Sequence, residues 1–324
     1  MTNNKINKLQ NLLRRYERFA RTVQLFRRKG GIYRHFLSIP SRLLKHYYSA
    51  SFQNRIKKIE AADFPKKRRV ADKRVIISLT SFPARINWVS NTIKSLLIQK
   101  YPIEKIILWL SSEEFTIDTI PQSLKELECE LFEIRLVKGN IKSHKKYYYA
   151  LKEFSDCYVI TVDDDHCYSD VLVNNLMRLN EQYPNDVCAN VIRIIRTAEN
   201  NKFAPYKEWT KIAPDKPKDS NLFVAIGYGG VLYPPHIMAN MLFDEEKIKE
   251  ICPFADDLWL KGNEMNMGIK IASGGTHFVH PITISGTQAF ALQRINMSKS
   301  MKNDEQWENI CKFFGIWLNT KQPI

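Results

Sequence analysis

Residues 74–111, RVIISLTSFPARINWVSNTIKSLLIQKYPIEKIILWLS, decide the fold class. Val75 to Thr80 is apolar or β-branched at nearly every position, the composition of a strand covered on both faces. From Ile86 to Gln99 the apolar residues fall at helical spacing, and KIILWLS at Lys105–Ser111 reads as a second buried strand. Strand, helix, strand with short joints is the unit from which parallel sheets are built. The alternation continues: IPQSLKELEC and SHKKYYYALKEF are expected helices, with FEIRLV a strand between them and YVITVD another. NLFVAIGYGGVLYPP then reads as strand, glycine turn and strand, and PFADDLWLKGNEMN as a helix. The expected fold class is α/β, with a mostly parallel central sheet flanked by helices.

YVITVDDDHCYSD, Tyr158–Asp170, ends a buried strand in three consecutive carboxylates. Each raises the cost of ionising the next, so something positive is expected beside them. Ligands of open α/β sheets bind beyond the carboxyl ends of the strands, where Asp163, Asp164 and Asp165 fall. Carboxylate oxygens select hard ions such as Mg2+ or Mn2+, which keep open positions for substrate phosphates. A divalent ion bridging the triplet to a diphosphate is one reading; solvated turn residues after a strand are the other.

The net charge of +15 is concentrated at one end: residues 1–74 carry 21 of the 49 Lys and Arg and 4 of the 34 Asp and Glu. Residues 9–28, LQNLLRRYERFARTVQLFRR, place Leu9, Leu12, Leu13, Tyr16, Phe19, Val23 and Phe26 at helical spacing among arginines, which predicts a basic amphipathic helix. The composition shifts near Asp72, so two regions are expected, 1–72 and 73–324. The first suits a membrane surface or an interaction partner: a continuous apolar stripe lies well in a lipid interface, with basic residues drawn to anionic headgroups. A nucleic-acid-binding stretch has no need of that stripe. No run of about 18 apolar residues suggests a membrane span, and six cysteines without metal-site spacing point to a reduced, cytoplasmic setting.

VIISLTSFPARI, KKYYYALKEF ahead of VITVDDDHCY, then GYGGVLYPP and FADDLWLK together resemble bacterial glycosyltransferases of the GT-A fold, close to family 2. The resemblance covers roughly residues 73–315. It implies metal-dependent, inverting transfer of a sugar from a nucleotide-sugar, a UDP-sugar first among them, to a glycan or lipid-linked acceptor in surface polysaccharide (capsule) synthesis. The apolar, basic stripe of the first region adds an expected place on the inner face of the plasma membrane, with no nucleic-acid partner.

Carried over residue by residue, the resemblance makes Asp163 and Asp165 ligands of Mn2+ or Mg2+, with Asp164 nearby and the register open. Thr80, Ser81, Phe82, Pro83 and Arg85 become donor contacts, and Lys146 a cation for the departing diphosphate. Tyr228 and Gly229 fall near the sugar. Asp257 becomes the general base and Asp256 its acceptor-side partner, although both could also be helix N-terminal charges. His277 and His280 are candidate third metal ligands. The QxxRW motif of processive members is replaced by LQRIN at Leu292–Asn296, which speaks for transfer of a single sugar. The competing classes are a metal-dependent phosphohydrolase with a nucleophilic first aspartate, a glycoside hydrolase using Asp165 and Asp257, and a nucleic-acid-binding protein.

Overall fold

The opening stretch folds as a strand, a helix and a strand. In the computed structural model β1 (Val75–Thr80) leads to α1 (Val89–Leu97) and then to β2 (Lys105–Ser111). Residues 47, 49–60, 72–198, 202–238, 240–275, 279–287 and 302–316 are described. Helix α1 buries Val89, Thr92, Ile93 and Leu96, the stripe that three-to-four spacing requires. A single turn, α2 (Gln122–Lys125), stands where a longer helix was expected. Next come β3 (Phe132–Val137), α3 (Lys145–Glu153) and β4 (Tyr158–Thr161). The acidic triplet joins β4 to a two-residue strand, β5 (His166–Cys167), followed by α4 (Leu172–Gln182).

Short strands fill the next part: β6 (Val187–Ala189), β7 (Ile192–Ile194), β8 (Thr210–Ile212), β9 (Lys218–Ser220), β10 (Phe223–Ala225) and β11 (Val231–Tyr233). The chain continues through α5 (Glu245–Ile251), α6 (Asp256–Asn266), β12 (Ile271–Ser273), β13 (Ile282–Thr283) and α7 (Asn303–Phe314). The main sheet has the order β3-β2-β1-β4-β11-β6-β12-β9, with β11 and β9 running against the rest. The fold is therefore α/β with a mostly parallel sheet, as expected. The glycine segment is strand, turn and strand as read, but not a hairpin: β10 pairs with β7 in a smaller sheet, and β11 enters the main one.

Strand β1 is buried on both faces, which accounts for its unbroken apolar run. Ile76, Ile107 and Val159 share a core cluster with Tyr147, Ala150 and Leu151 of α3. Ile77 and Leu79, on the alternate face, are fully buried as well. The tyrosines of α3 are packing residues, Tyr147 wholly buried and Tyr149 stacked on Trp109 at 5.2 Å. Two registers position the site. Ser78 of β1 lies beside Thr161 of β4 in parallel, so Ser81 and Asp164 emerge together at the carboxyl end. Val231 pairs antiparallel with Thr161, so the glycine turn before β11 arrives at that same end.

Contacts divide the chain into two units, Met1–Asp63 and Phe64–Ile324. Of the first, a helix over 49–57 is described; the expected helix over 9–28, and His277, lie outside the described residues. No described helix is long and apolar enough to cross a membrane. None of the six cysteines is in a disulfide.

Candidate functional site

The positive charge demanded by three adjacent carboxylates comes from the protein itself. Arg85, in the loop after β1, reaches Asp164 Oδ1 at 2.8 Å with one nitrogen and Asp165 Oδ2 at 3.1 Å with another. Ser81 Oγ donates to Asp164 Oδ2 at 2.5 Å, and Thr92 Oγ1 to the Asp164 carbonyl at 2.8 Å. Asp164 is the buried brace of the triplet. Burial pushes its carboxyl up from the ordinary value, more than Arg85 and Ser81 pull it down. Asp165 meets His166 Nδ1 at 2.6 Å. Burial alone would raise its pKa, but the His166 hydrogen bond and charge, with Arg85, hold it below the ordinary value.

Asp163 faces elsewhere. Lys146 Nζ lies 2.8 Å from Asp163 Oδ1 and 2.8 Å from Asp256 Oδ2, tying the end of β4 to the start of α6. Lys146 stands in the first turn of α3, with its carbonyl held by Ser78 Oγ of β1 and its side chain 6% exposed. Burial works against its charge, yet Asp163, Asp256 and Asp257 outweigh burial and raise its pKa well above the ordinary lysine value. It remains an ammonium at every physiological pH.

Asp256 and Asp257 are the first two residues of α6, whose N-cap is Ala255. Neither caps the helix, although both carboxylates sit where the macrodipole favours negative charge. For Asp256 burial is outweighed by Lys146 and His144, so its pKa falls. Asp257, half-buried, accepts the Gly227 backbone N–H at 3.2 Å. Desolvation, followed by the Asp256 charge, pushes its pKa well above the ordinary carboxylate value. Two neighbouring carboxyls with pKa values driven apart match the division of labour of an acid–base site.

A Cβ at Gly227 would lie 2.8 Å from Lys146 Nζ, 3.1 Å from Asp163 Oδ1 and 3.4 Å from Asp257 Oδ1. Lys146, Asp163 and Asp257 thus converge on one point, which a glycine leaves open. Gly229, the glycine singled out from the sequence, packs on Val191 instead; a Cβ there would lie 2.8 Å from that side chain. Gly227→Ala is expected to lower activity at least about tenfold, since a displacement of about 1 Å in a site costs that or more. The obstructing atoms are side-chain ends that can yield, so Tm should move little; activity assays beside thermal melts check this.

The remaining candidates are spread around this point. Tyr228 lies next to Gly227, its ring stacked on His166 at 5.2 Å and its carbonyl accepting from the Tyr168 hydroxyl. That hydroxyl also accepts the Asp163 N–H. Thr80 is turned away, donating to the Trp109 carbonyl at 2.7 Å. Phe82 lies under Arg85, and Pro83 is exposed. Arg85, expected at the phosphates, is committed to Asp164 and Asp165. His280 is exposed on the run into β13 and is not gathered with the triplet. His166 was overlooked, although it directly follows the triplet. Its ring bridges Asp165 to Thr283 of β13, with Nε2 3.2 Å from Thr283 Oγ1.

The resemblance implies a divalent ion at this place. Among the described residues no group of three His, Cys, Asp or Glu could hold one unaided. Partial fit remains: Asp163, 32% exposed, is an oxygen donor of the kind that holds a hard ion whose other ligands are phosphates and water, whereas both oxygens of the buried Asp165 are already engaged by Arg85 and His166.

No protein-family model matches the chain, and no curated protein does. Several solved structures align with it. Residues 1–349 of S. aureus TarS are 14% identical over 74% of this chain and 70% of that one, with a TM-score of 0.42. The same fragment in complex with UDP gives 12% identity, 74% and 70% coverage, and a TM-score of 0.42. The mannosyltransferase PcManGT from Pyrobaculum calidifontis, in complex with GDP-Man and Mn2+, gives 12% identity, 78% and 68% coverage, and a TM-score of 0.42. Likenesses this distant leave the functional reading to the site's own geometry.

Proposed function

We propose that the chain is a glycosyltransferase that moves a sugar from a nucleotide-sugar to an acceptor hydroxyl with inversion at the anomeric carbon. The observation that carries this reading is the convergence of Lys146, Asp163 and Asp257 around Gly227. A leaving diphosphate needs a cation and an attacking hydroxyl needs a base, and one of each borders the point that Gly227 leaves open. Lys146 is that cation, held charged by three carboxylates. Asp257 is the base: its raised pKa makes it a stronger proton acceptor than an ordinary carboxylate.

The hydroxyl oxygen bonds to the anomeric carbon, the bond from that carbon to the diphosphate oxygen breaks, and the hydroxyl proton passes to Asp257. Asp256, held ionised beside Lys146, keeps the first turn of α6 in register with α3. The nucleotide lies over the loop after β1, which Ser81 and Arg85 hold rigid through Asp164. Asp163 would hold the divalent ion, with Asp165 joining it only on release from Arg85 or His166, and the ion when bound would neutralise charge on the diphosphate.

The triplet therefore ranks. Asp163→Asn is expected to weaken metal-assisted nucleoside diphosphate binding at least about tenfold, as loss of a charged ligand does, with little change in Tm. Asp164→Asn is expected to lower Tm, because it leaves Arg85 half-paired in the interior. Calorimetry with UDP and GDP, with and without Mn2+, set beside thermal melts, checks the order. Equal effects of the two variants on both readouts would defeat it.

The basic first region is assigned to an anionic membrane surface, on its composition and apolar stripe. Flotation of the full chain with phosphatidylglycerol vesicles, against neutral vesicles, tests it; equal recovery with both would end the assignment. Acceptors on a membrane-borne glycan would suit that location.

A further inference from the structure

Across the small sheet, Arg193 of β7 is paired in antiparallel register with Lys211 of β8. Residues so paired project on the same face, and like charges in that position oppose folding. The strand period fixes the arrangement: Ile192 and Ile194 turn into the core and send Arg193 to the other side. Among the described residues neither Arg193 nor Lys211 forms an ion pair, whereas the buried cations Arg85 and Lys146 each meet two carboxylates.

Both heads are held in place by aromatic rings. The Arg193 guanidinium lies 4.5 Å over the Tyr206 ring and donates to the Trp209 carbonyl at 2.9 Å. The Lys211 ammonium lies 4.1 Å over Tyr228. Tyr228 adjoins Gly227, so the pair borders the catalytic point. Lys211 feels the charge of Asp257 and, less, of Asp163; Tyr206 feels Asp257 and Asp256. Through Tyr228 the pair adjoins the point at which Asp257, the proposed base, and Asp163 meet.

We infer that Arg193 and Lys211 form an anion subsite that takes a phosphate group of the acceptor, so that the acceptor is a phosphate-bearing glycan or lipid-linked saccharide. The inference rests on the sugar-transfer reading for the word acceptor; the anion subsite stands on the pair itself. Two cations, one with a forked array of donors, suit the charge and the several oxygens of a phosphate. The one other phosphate source this chemistry admits is the donor's diphosphate.

Inorganic phosphate is the probe, titrated by calorimetry into the full chain with and without saturating UDP, for wild type, Lys211→Gln and Arg193→Gln. Lys211→Gln is the safer variant, since Lys211 is exposed and makes no hydrogen bond to the fold's interior. Expected are a fivefold or greater weakening of phosphate binding in each variant, with UDP and GDP affinities within about twofold of wild type. Without phosphate, Lys211→Gln should melt about 1–2 °C higher, because relieving the like-charge pair stabilises the sheet. Unchanged phosphate affinity in both variants would overturn the subsite. A loss of UDP and GDP binding equal to the loss of phosphate binding would overturn the acceptor assignment and give the pair to the donor. If wild type binds neither UDP nor GDP, the sugar-transfer reading falls, while the phosphate titration still decides whether the pair is an anion site.

Discussion

Asp257→Asn is expected to lower turnover by about 10³-fold, within the range for loss of a general base, and at the same time to raise the melting temperature. The carboxyl's pKa is pushed well above the ordinary value by desolvation and by Asp256. A carboxyl with a raised folded pKa costs nothing below its unfolded value near 4; the cost grows as pH climbs from there to the folded value and is constant above it. At neutral pH the wild type therefore bears a penalty that Asn removes, and the stabilisation should vanish in melts run near pH 4. Binding of UDP or GDP should stay within about twofold of wild type if Asp257 serves the acceptor side, as proposed. In the wild type the acidic limb of the rate profile should lie above the ordinary carboxylate range, as Asp257 must be ionised to accept a proton. A turnover unchanged by the substitution would remove Asp257 from the chemistry.

Lys146→Met acts in the opposite direction on stability. Its ammonium is nearly buried and holds Asp163 and Asp256 at once, so the variant leaves carboxylates unpaired. Removing one partner of a buried ion pair costs about 3–5 kcal/mol; Asp163 is half-open to water, which favours the lower end. A lysine with a raised folded pKa contributes stability that is complete below its unfolded value near 10.4 and is lost as pH rises through the folded value. The whole contribution is thus at stake at pH 7. It should shrink in acid, where Asp256, its pKa depressed by Lys146, becomes protonated in either protein. Turnover should fall about 10²–10³-fold with the loss of charge stabilisation of the leaving group. Melts between pH 4 and pH 9, beside activity at a temperature where the variant remains folded, separate the two effects.

The sequence made the frame legible where a buried strand has to be apolar throughout. RVIISLTSF, KIILWLS, FEIRLV and YVITVD all became neighbours in the main sheet. The short strands were harder to read, because three residues offer no period to detect and their sheets are set by pairing across long sequence distances. The glycine segment is the clearest case: local chemistry announced strand, turn and strand, while the long-range pairings placed β10 and β11 in separate sheets.

The site was legible as residue types and less so as roles. Three adjacent carboxylates required a cation, but only the loop after β1 and the first turn of α3 show that Arg85 and Lys146 supply it. Gly227 and Gly229 look alike in sequence. They differ because the turn brings one against Lys146 and the other against Val191. Arg193 and Lys211 had no signal of their own, since an arginine between isoleucines and a lysine before one become a pair only through the register of β7 and β8.

The most direct measurement is nucleoside diphosphate release from a panel of UDP- and GDP-sugars, with Mn2+ present, by wild type, Asp257→Asn and Lys146→Met at equal folded concentration. Release by wild type from at least one donor, depressed at least about 10²-fold in both variants, is the result that convergence of these side chains on Gly227 requires. No release from any donor, with no binding of UDP or GDP by calorimetry, or release that both variants retain, would contradict it.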